Sequence, residues 1–185
     1  LAKQGANAPV TIALAGTDIG ARGYVDLTLA AMEAFGAKVE QLDAATWRVE
    51  PTGYTATDFV IEPDASAATY LWASEVLSGG KIDLGVANDA FTQPDAKAYE
   101  TIANFPHLPA EIDGSQMQDA IPTIAVLAAF NETPVRFVGI ANLRVKECDR
   151  IRALSTGLNN IREGLAVEES DDLIVHSDPE LAGQT

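Results

Sequence analysis

The chain is predicted to be an α/β protein built from repeated strand–helix–strand units, and three observations predict it. Short apolar runs of strand character alternate with longer runs of helical period along the 185 residues. Helices are closed by glycine in Ala34-Phe35-Gly36, Leu77-Ser78-Gly79-Gly80 and Ile161-Arg162-Glu163-Gly164, because a residue without Cβ turns left-handed at little cost. Hydrophobic residues make up 47% of the chain, enough to bury a real core in one or two domains.

The elements follow in order. Val10 to Ala15 alternates as a strand, and Tyr24 to Phe35 forms a helix closed by Gly36. Lys38 to Leu42 and Thr46 to Val49 suit a pair of short strands, and Asp58 to Ile61 is the next. A long helix begins at Asp64, a good N-cap residue, and runs through Leu77. Lys81 to Val86 reads as a strand and Ala96 to Phe105 as a helix. Beyond a connection carrying Pro106 and Pro109, Ala120 to Phe130 is helical, with Pro122 in the first turn, where its missing N–H does no harm. Pro134 to Ile140 reads as a buried strand, Asp149 to Ile161 as an amphipathic helix, and Ala166–Glu168 with Asp172–Val175 as a small hairpin around Ser170-Asp171. Trp47, Trp72 and Met117 are expected in the core or at an interface, and Cys148 as a small buried filler.

Charge narrows the function classes. The chain holds 12 Lys+Arg against 27 Asp+Glu, a formal net charge of −15, and such a field repels nucleic acid and anionic membrane surfaces. No apolar run approaches the roughly 18 residues a membrane span needs, and the first residues, Leu1 to Ala6, carry no signal-peptide core. The single cysteine excludes an internal disulfide and fits a reducing compartment, so a cytoplasmic location is expected. His107 and His176 stand far apart without neighbours at metal-binding spacing, so neither a metal nor another cofactor is expected. Gly16 and Gly20 flank Thr17-Asp18-Ile19 too loosely to cradle a phosphate, and no strand is followed by a dinucleotide or P-loop pattern.

Against that acidic background, four of the cations crowd between Arg144 and Arg152, where a buried strand gives way to a helix. That junction is the usual ligand site of α/β proteins. If the helix has started by Lys146, then Lys146 and Arg150 share one face with Glu147 beside them. Two cations and a carboxylate aimed at one spot suit an anionic substrate and a proton transfer. The plainer alternative is a solvated face with Glu147–Arg150 and Asp149–Arg152 pairs.

The run Asn142-Leu143-Arg144-Val145-Lys146-Glu147-Cys148-Asp149-Arg150 resembles the Arg-Val-Lys-Glu-x-Asp-Arg signature of the 5-enolpyruvylshikimate-3-phosphate (EPSP) synthases. Four further segments resemble that family in the same order: Tyr24-Val25-Asp26-Leu27-Thr28-Leu29, Glu62-Pro63-Asp64-Ala65-Ser66-Ala67-Ala68-Thr69-Tyr70, Thr92-Gln93-Pro94-Asp95 and Gln118-Asp119-Ala120-Ile121-Pro122-Thr123. The resemblance implies an inside-out α/β barrel architecture, incomplete here, and transfer of the enolpyruvyl group from phosphoenolpyruvate to the 5-hydroxyl of shikimate 3-phosphate. By that resemblance Asp119 is the base at the 5-hydroxyl and Glu147 the acid toward the methylene carbon. Asn142 and Lys146 match contacts to shikimate 3-phosphate, Arg150 matches an arginine on the phosphoenolpyruvate carboxylate, and Arg22 and Tyr24 match a loop beside the shikimate ring. Plainer roles stand beside these: Asp119 as an N-cap, and Tyr24 as a packing residue.

The resemblance covers the middle of the family's longer, two-lobed chain. Its upstream lysine–serine loop, arginine-bearing glycine-rich segment and Ser-Ser-Gln contacts have no counterpart here, nor do its downstream Asp-His-Arg segment and late lysine. Ala21 replaces a serine found in many members, and the connection from Phe105 to Met117 is short for the strand pair many of them hold there. The chain is therefore expected to be a fragment. Residues 1–60 would be the last unit of the first lobe and 61–185 two units of the second, joined by a hinge strand near Ile61–Asp64, inactive without the remaining segments of the enzyme. Alternatives are a non-catalytic module of the same fold, or a relative acting on a UDP-sugar.

Overall fold

The computed structural model describes residues 7–16 and 22–183; Gly20 and Ala21, singled out above, lie outside them. Two compact units emerge, Leu1–Glu62 and Pro63–Thr185.

In the first unit, strands β1 (Val10–Ala13), β2 (Val39–Asp43) and β3 (Thr46–Val49) form an antiparallel sheet in the order β1-β3-β2. Along β3 the side chains alternate: Trp47 and Val49 are buried while Arg48 is exposed, as the period of a pleated strand requires. The β2–β3 turn is closed by the Asp43 carboxylate, which accepts from the Ala45 amide at 2.8 Å. Helix α1 (Arg22–Ala34) starts two residues earlier than its apolar spacing suggested, and the chain leaves it through Gly36 at φ 78°.

The expected strand at Asp58–Ile61, and with it the hinge strand, is absent: residues 50–64 hold no regular element. A strand needs a partner for its backbone groups, and here Val60 and Ile61 remain 93% and 83% exposed. Lys81–Val86 is likewise no strand. Asp83 accepts from the Gly85 amide at 2.8 Å, and Gly85 takes φ 69°, so a turn interrupts the apolar run.

The second unit holds α2 (Ala65–Ser78), α3 (Ala98–Ala103), β4 (Glu111–Asp113), α4 (Ile121–Ala129), β5 (Val135–Val138), α5 (Arg150–Ile161), β6 (Ala166–Glu169) and β7 (Asp172–Val175). Asp64 caps α2 as expected, accepting from the Ser66 and Ala67 amides, and Gly79 ends it in the left-handed conformation. Strand β4 was not anticipated, because three residues between prolines carry no period of their own; it fills the short Phe105–Met117 connection. It pairs in parallel with β5, and β5 and β6 both pair antiparallel with β7, in the order β4-β5-β7-β6. The final hairpin is thus half of a four-stranded sheet.

Helix α4 is the centre of this unit. Only Pro122 and Val126 escape burial along it, so it reads as apolar all round rather than amphipathic. It packs with Phe137, Leu173 and Val175 in one core, and each such side chain contributes about 1.5–3 kcal/mol by leaving water. Inside it the Thr69 hydroxyl of α2 donates to the Ser66 carbonyl at 2.6 Å and accepts from the Thr123 hydroxyl of α4 at 2.9 Å. Trp72 presents its face or edge to Phe91 and Tyr99 and donates to Asn88. Trp47, Trp72 and Met117 are all buried, whereas Cys148 is exposed, because it sits in a loop ahead of α5 rather than on that helix's inner face.

Fully buried Asn131 locks β4 into place. Its Oδ1 accepts from the Leu108 amide and its Nδ2 donates to the Thr133 carbonyl, both at 2.9 Å. Asn131→Ala leaves that amide buried and unpaired, so the unfolding free energy is expected to fall by about 1–3 kcal/mol, read as a lower urea midpoint. An unchanged midpoint would show that the loop before β4 is held by something else.

Candidate active site

The parallel strands β4 and β5 point their carboxyl ends the same way, and the two loops that follow them meet. After β4, a 3-10 turn at Gln118–Ala120 carries Asp119 into α4. After β5, a 3-10 turn at Ala141–Val145 and the segment behind it carry Asn142, Lys146 and Glu147 to α5, whose first residue is Arg150. Two loops at the carboxyl ends of adjacent strands, each opening a helix, form the usual ligand position of an α/β sheet.

Four of the expected residues converge there. Asp119 Oδ1 receives Arg150 Nη1 at 2.8 Å and Lys146 Nζ at 3.1 Å. The rest of the Arg150 guanidinium forks onto Glu147, with Nε to Oε1 at 2.9 Å and Nη2 to Oε2 at 2.8 Å. Two-point pairs of this kind are the stronger charge-assisted bonds. Asn142 joins through Gln118, whose side-chain oxygen accepts from Asn142 Nδ2, while Asn142 Oδ1 is buried and accepts nothing among the described residues. Asp119, Glu147 and Arg150 edge an open cleft of about 560 Å³ whose wall includes Tyr70, Pro122, Val126 and Leu154.

The geometry corrects several expectations. Helix α5 begins at Arg150 with Asp149 as its cap, and Lys146 is extended (φ −75°, ψ −152°). Lys146 and Arg150 therefore do not share a helix face; they meet because both reach Asp119 from different backbone segments. Asp119 caps nothing, since the position before α4 belongs to Ala120, which has no capping side chain. The expected Asp149–Arg152 side-chain pair is replaced: Asp149 accepts from the Arg152 amide and pairs with Arg144. Nor does Arg144 face the cleft. It binds Asp149, Glu168 and Asp171.

In the sequence Gln118 stands out only as part of a motif beside Asp119, because its hold on Asn142 depends on two loops coming together. Arg22 and Tyr24 belong to the first unit. Arg22 opens α1, donates to the Ala44 carbonyl and lies with its guanidinium 5.9 Å from the Trp47 ring centre, a favourable cation–π distance. Tyr24 is half-buried in the first turn of α1.

The four central groups are formally neutral together: Lys146 and Arg150 against Asp119 and Glu147. The Arg150 guanidinium, through its hydrogen bonds, holds the Glu147 carboxyl below the usual glutamate range. Glu147 in turn is the main cause of a raised Arg150 value. With nothing bound, Glu147 is therefore ionised at neutral pH and gives no proton. An anion that took its place on Arg150 would remove the partner that lowers its affinity for a proton.

An α/β protein with an ion-paired cluster at its strand ends is thus defined. The chain belongs to the EPSP synthase (3-phosphoshikimate 1-carboxyvinyltransferase) family, whose profile matches residues 4–185. It is 85% identical over 181 residues to a 3-phosphoshikimate 1-carboxyvinyltransferase of Rhizobium etli strain CIAT 652, covering 98% of this chain and 43% of that protein. A protein of the same name from Pseudomonas savastanoi pv. phaseolicola is 72% identical over 177 residues, covering 96% and 42%. Among solved structures, the EPSP synthase of Acinetobacter baumannii superposes with a TM-score of 0.66 at 17% identity, over 94% of this chain and 44% of that one, a likeness of fold. The chain thus spans under half the length of these relatives. Among the described residues no helix is long and apolar enough to cross a membrane.

Because its folded value is depressed, Glu147 favours the fold above the ordinary glutamate range, and that contribution is lost as pH falls through the lowered value. Titrated by carboxyl-carbon NMR, Glu147 is expected to lie below an ordinary glutamate, and Arg150→Gln to return it there. Coincident titrations in the two proteins would show the fork to be absent in solution.

Proposed function

We propose that this chain is part of a transferase that moves the enolpyruvyl group of phosphoenolpyruvate to the 5-hydroxyl of shikimate 3-phosphate, releasing phosphate on the route to the aromatic amino acids. Residues 1–60 would close the first lobe and 61–185 supply two units of the second. Shikimate 3-phosphate, phosphoenolpyruvate and the remaining segments of the enzyme are the partners. A cytoplasmic location belongs to the same proposal, supported by the exposed free thiol of Cys148. The observation that carries it is the convergence in one ion-paired cluster of Lys146, Glu147 and Arg150 from the family's signature with Asp119 from a second family-like segment.

The roles follow from chemistry. Asp119 takes the proton of the 5-hydroxyl as its oxygen bonds to the central carbon of phosphoenolpyruvate, while Glu147 gives a proton to the methylene carbon. Loss of phosphate and of a proton from that carbon restores the double bond. Arg150 holds the phosphoenolpyruvate carboxylate through the edge that now grips the Glu147 carboxylate, a two-point geometry lysine does not reproduce. Displaced from that edge, Glu147 loses the partner that favours its ionised form and takes up a proton more readily. Lys146 and Asn142 bind shikimate 3-phosphate, as their places beside Asp119 and Gln118 allow. Arg22 and Tyr24 are assigned to the same substrate from the first lobe.

In the full-length enzyme, Asp119→Ala and Glu147→Gln are each expected to lower turnover by about 10²-fold or more. Lys146→Ala is expected to weaken shikimate 3-phosphate binding by about 2–5 kcal/mol, by calorimetry, with native circular dichroism. A non-catalytic module of this fold would be indifferent to all three changes.

The 185-residue chain alone is expected to release no phosphate from the two substrates, because both anions must be desolvated between closing lobes. Activity appearing only when the missing segments are added as separate polypeptides is the expected result; activity from the chain alone would contradict the assignment of its residues to two incomplete lobes.

A further inference from the structure

The mechanism above does not use Arg144, although it sits in the same signature as Lys146 and Glu147. Its guanidinium is committed wholly to the protein. Nε donates to Asp171 Oδ1 at 2.9 Å; Nη1 donates to Asp149 at 2.9 and 3.2 Å and to Glu168 Oε2 at 3.0 Å; and Nη2 donates to the Ser170 carbonyl. With its side chain 22% exposed, this is an unusually complete use of a planar five-donor group, and one that lysine has too few fixed donors to copy.

What these bonds enclose is the part of the cleft that performs the chemistry. Residues 145–148, all exposed, lie between Arg144 and Asp149, and the pairing of those two side chains closes them into a short loop. Asp149 also accepts from the Arg152 amide at 3.0 Å, which fuses the far end of the loop to α5. Glu168, Ser170 and Asp171 fuse the near end to the β6–β7 turn, and Glu168 also approaches Arg152 at 3.5 Å. The loop's shape is therefore set by one side-chain clasp spanning three elements.

We propose that Arg144 is a positioning residue, whose pairs with Asp149 and Glu168 hold the 145–148 loop so that Lys146 reaches Asp119 and Glu147 reaches Arg150. Its consequence for turnover rests on the assignment of Lys146 and Glu147 above. A loop pinned at both ends presents its side chains already ordered, and reacting groups misplaced by about 1 Å lose as much as 10²-fold in rate.

The test uses the full-length enzyme with Arg144→Lys, and with Glu168→Gln as an isosteric second variant should the first fail to fold. Well below the melting temperature, each is expected to lower kcat about tenfold or more. In a Glu147→Gln background the same change is expected to add little, because residues acting through one another are not additive. Independently of substrate, Arg144→Lys is expected to bring the Glu147 carboxyl titration back toward an ordinary glutamate. A folded variant with an unchanged Glu147 titration overturns the clasp, as does a kcat loss that multiplies in full with that of Glu147→Gln. A returned titration with kcat intact instead leaves the clasp standing and removes Glu147 from catalysis.

Discussion

Strands β4 and β5 lie side by side in parallel, with Glu111 opposite Arg136 and Asp113 opposite Val138, and the rest of the second unit is arranged around that contact. Parallel neighbours cannot be joined by a tight turn, so the chain must cross over the sheet, and the crossover is α4. A helix placed there is covered on nearly every side, which is why α4 carries apolar residues all round. The same crossover brings the loop after β4 beside the loop after β5. Gly114 and Gly139 permit that closeness: a Cβ on Gly114 would stand 2.6 Å from the Ile140 side chain, and Gly139 takes φ 69° where a Cβ would run into Asp113.

The electrostatics follow from that approach. In a chain of net charge −15, cations are few, and the fold gathers two of them beside one cleft. Here Lys146 and Arg150 share carboxylates that remain 29% and 65% exposed, for Asp119 and Glu147 respectively. The more open Glu147 is the more screened by water, so its pair with Arg150 gains less from Coulomb attraction than its two-point geometry alone would give. The pairs of Arg144 face the other way and are more numerous, three carboxylates sharing one guanidinium. One cation run thus divides into a half that gathers at Asp119, beside the cleft, and a half that ties α5 to the β6–β7 hairpin.

Much of this was legible in the order of residues. The helices at Ala65–Ser78, Ile121–Ala129 and Arg150–Ile161, the Asp64 cap, the Gly79 stop and the final hairpin all rest on periodicity and capping rules that act within a few residues. Asp119, Lys146, Glu147 and Arg150 were legible by their chemistry and by the two family-like segments that hold them. Strands were read less well. Asp58–Ile61 and Lys81–Val86 have strand composition, yet a strand exists only when a neighbour takes up its hydrogen bonds; Glu111–Asp113 has little strand signal and becomes one because β5 lies alongside.

The sequence by itself determined the fold class, the principal helices, the two carboxylates and the cations of the cleft, because those depend on local spacing and residue chemistry. The tertiary structure alone decided what each charge does. Lys146 and Arg150 meet at Asp119 without sharing a helix, Arg150 reaching a carboxylate 31 residues away in the chain. Arg144, one residue from Val145 in the same run, turns to Glu168, 24 residues away. Cys148 stays exposed where a buried filler was expected. The partner of a charged side chain is whatever the fold brings within about 3 Å of it, and for this run those partners come from strands and turns remote along the chain.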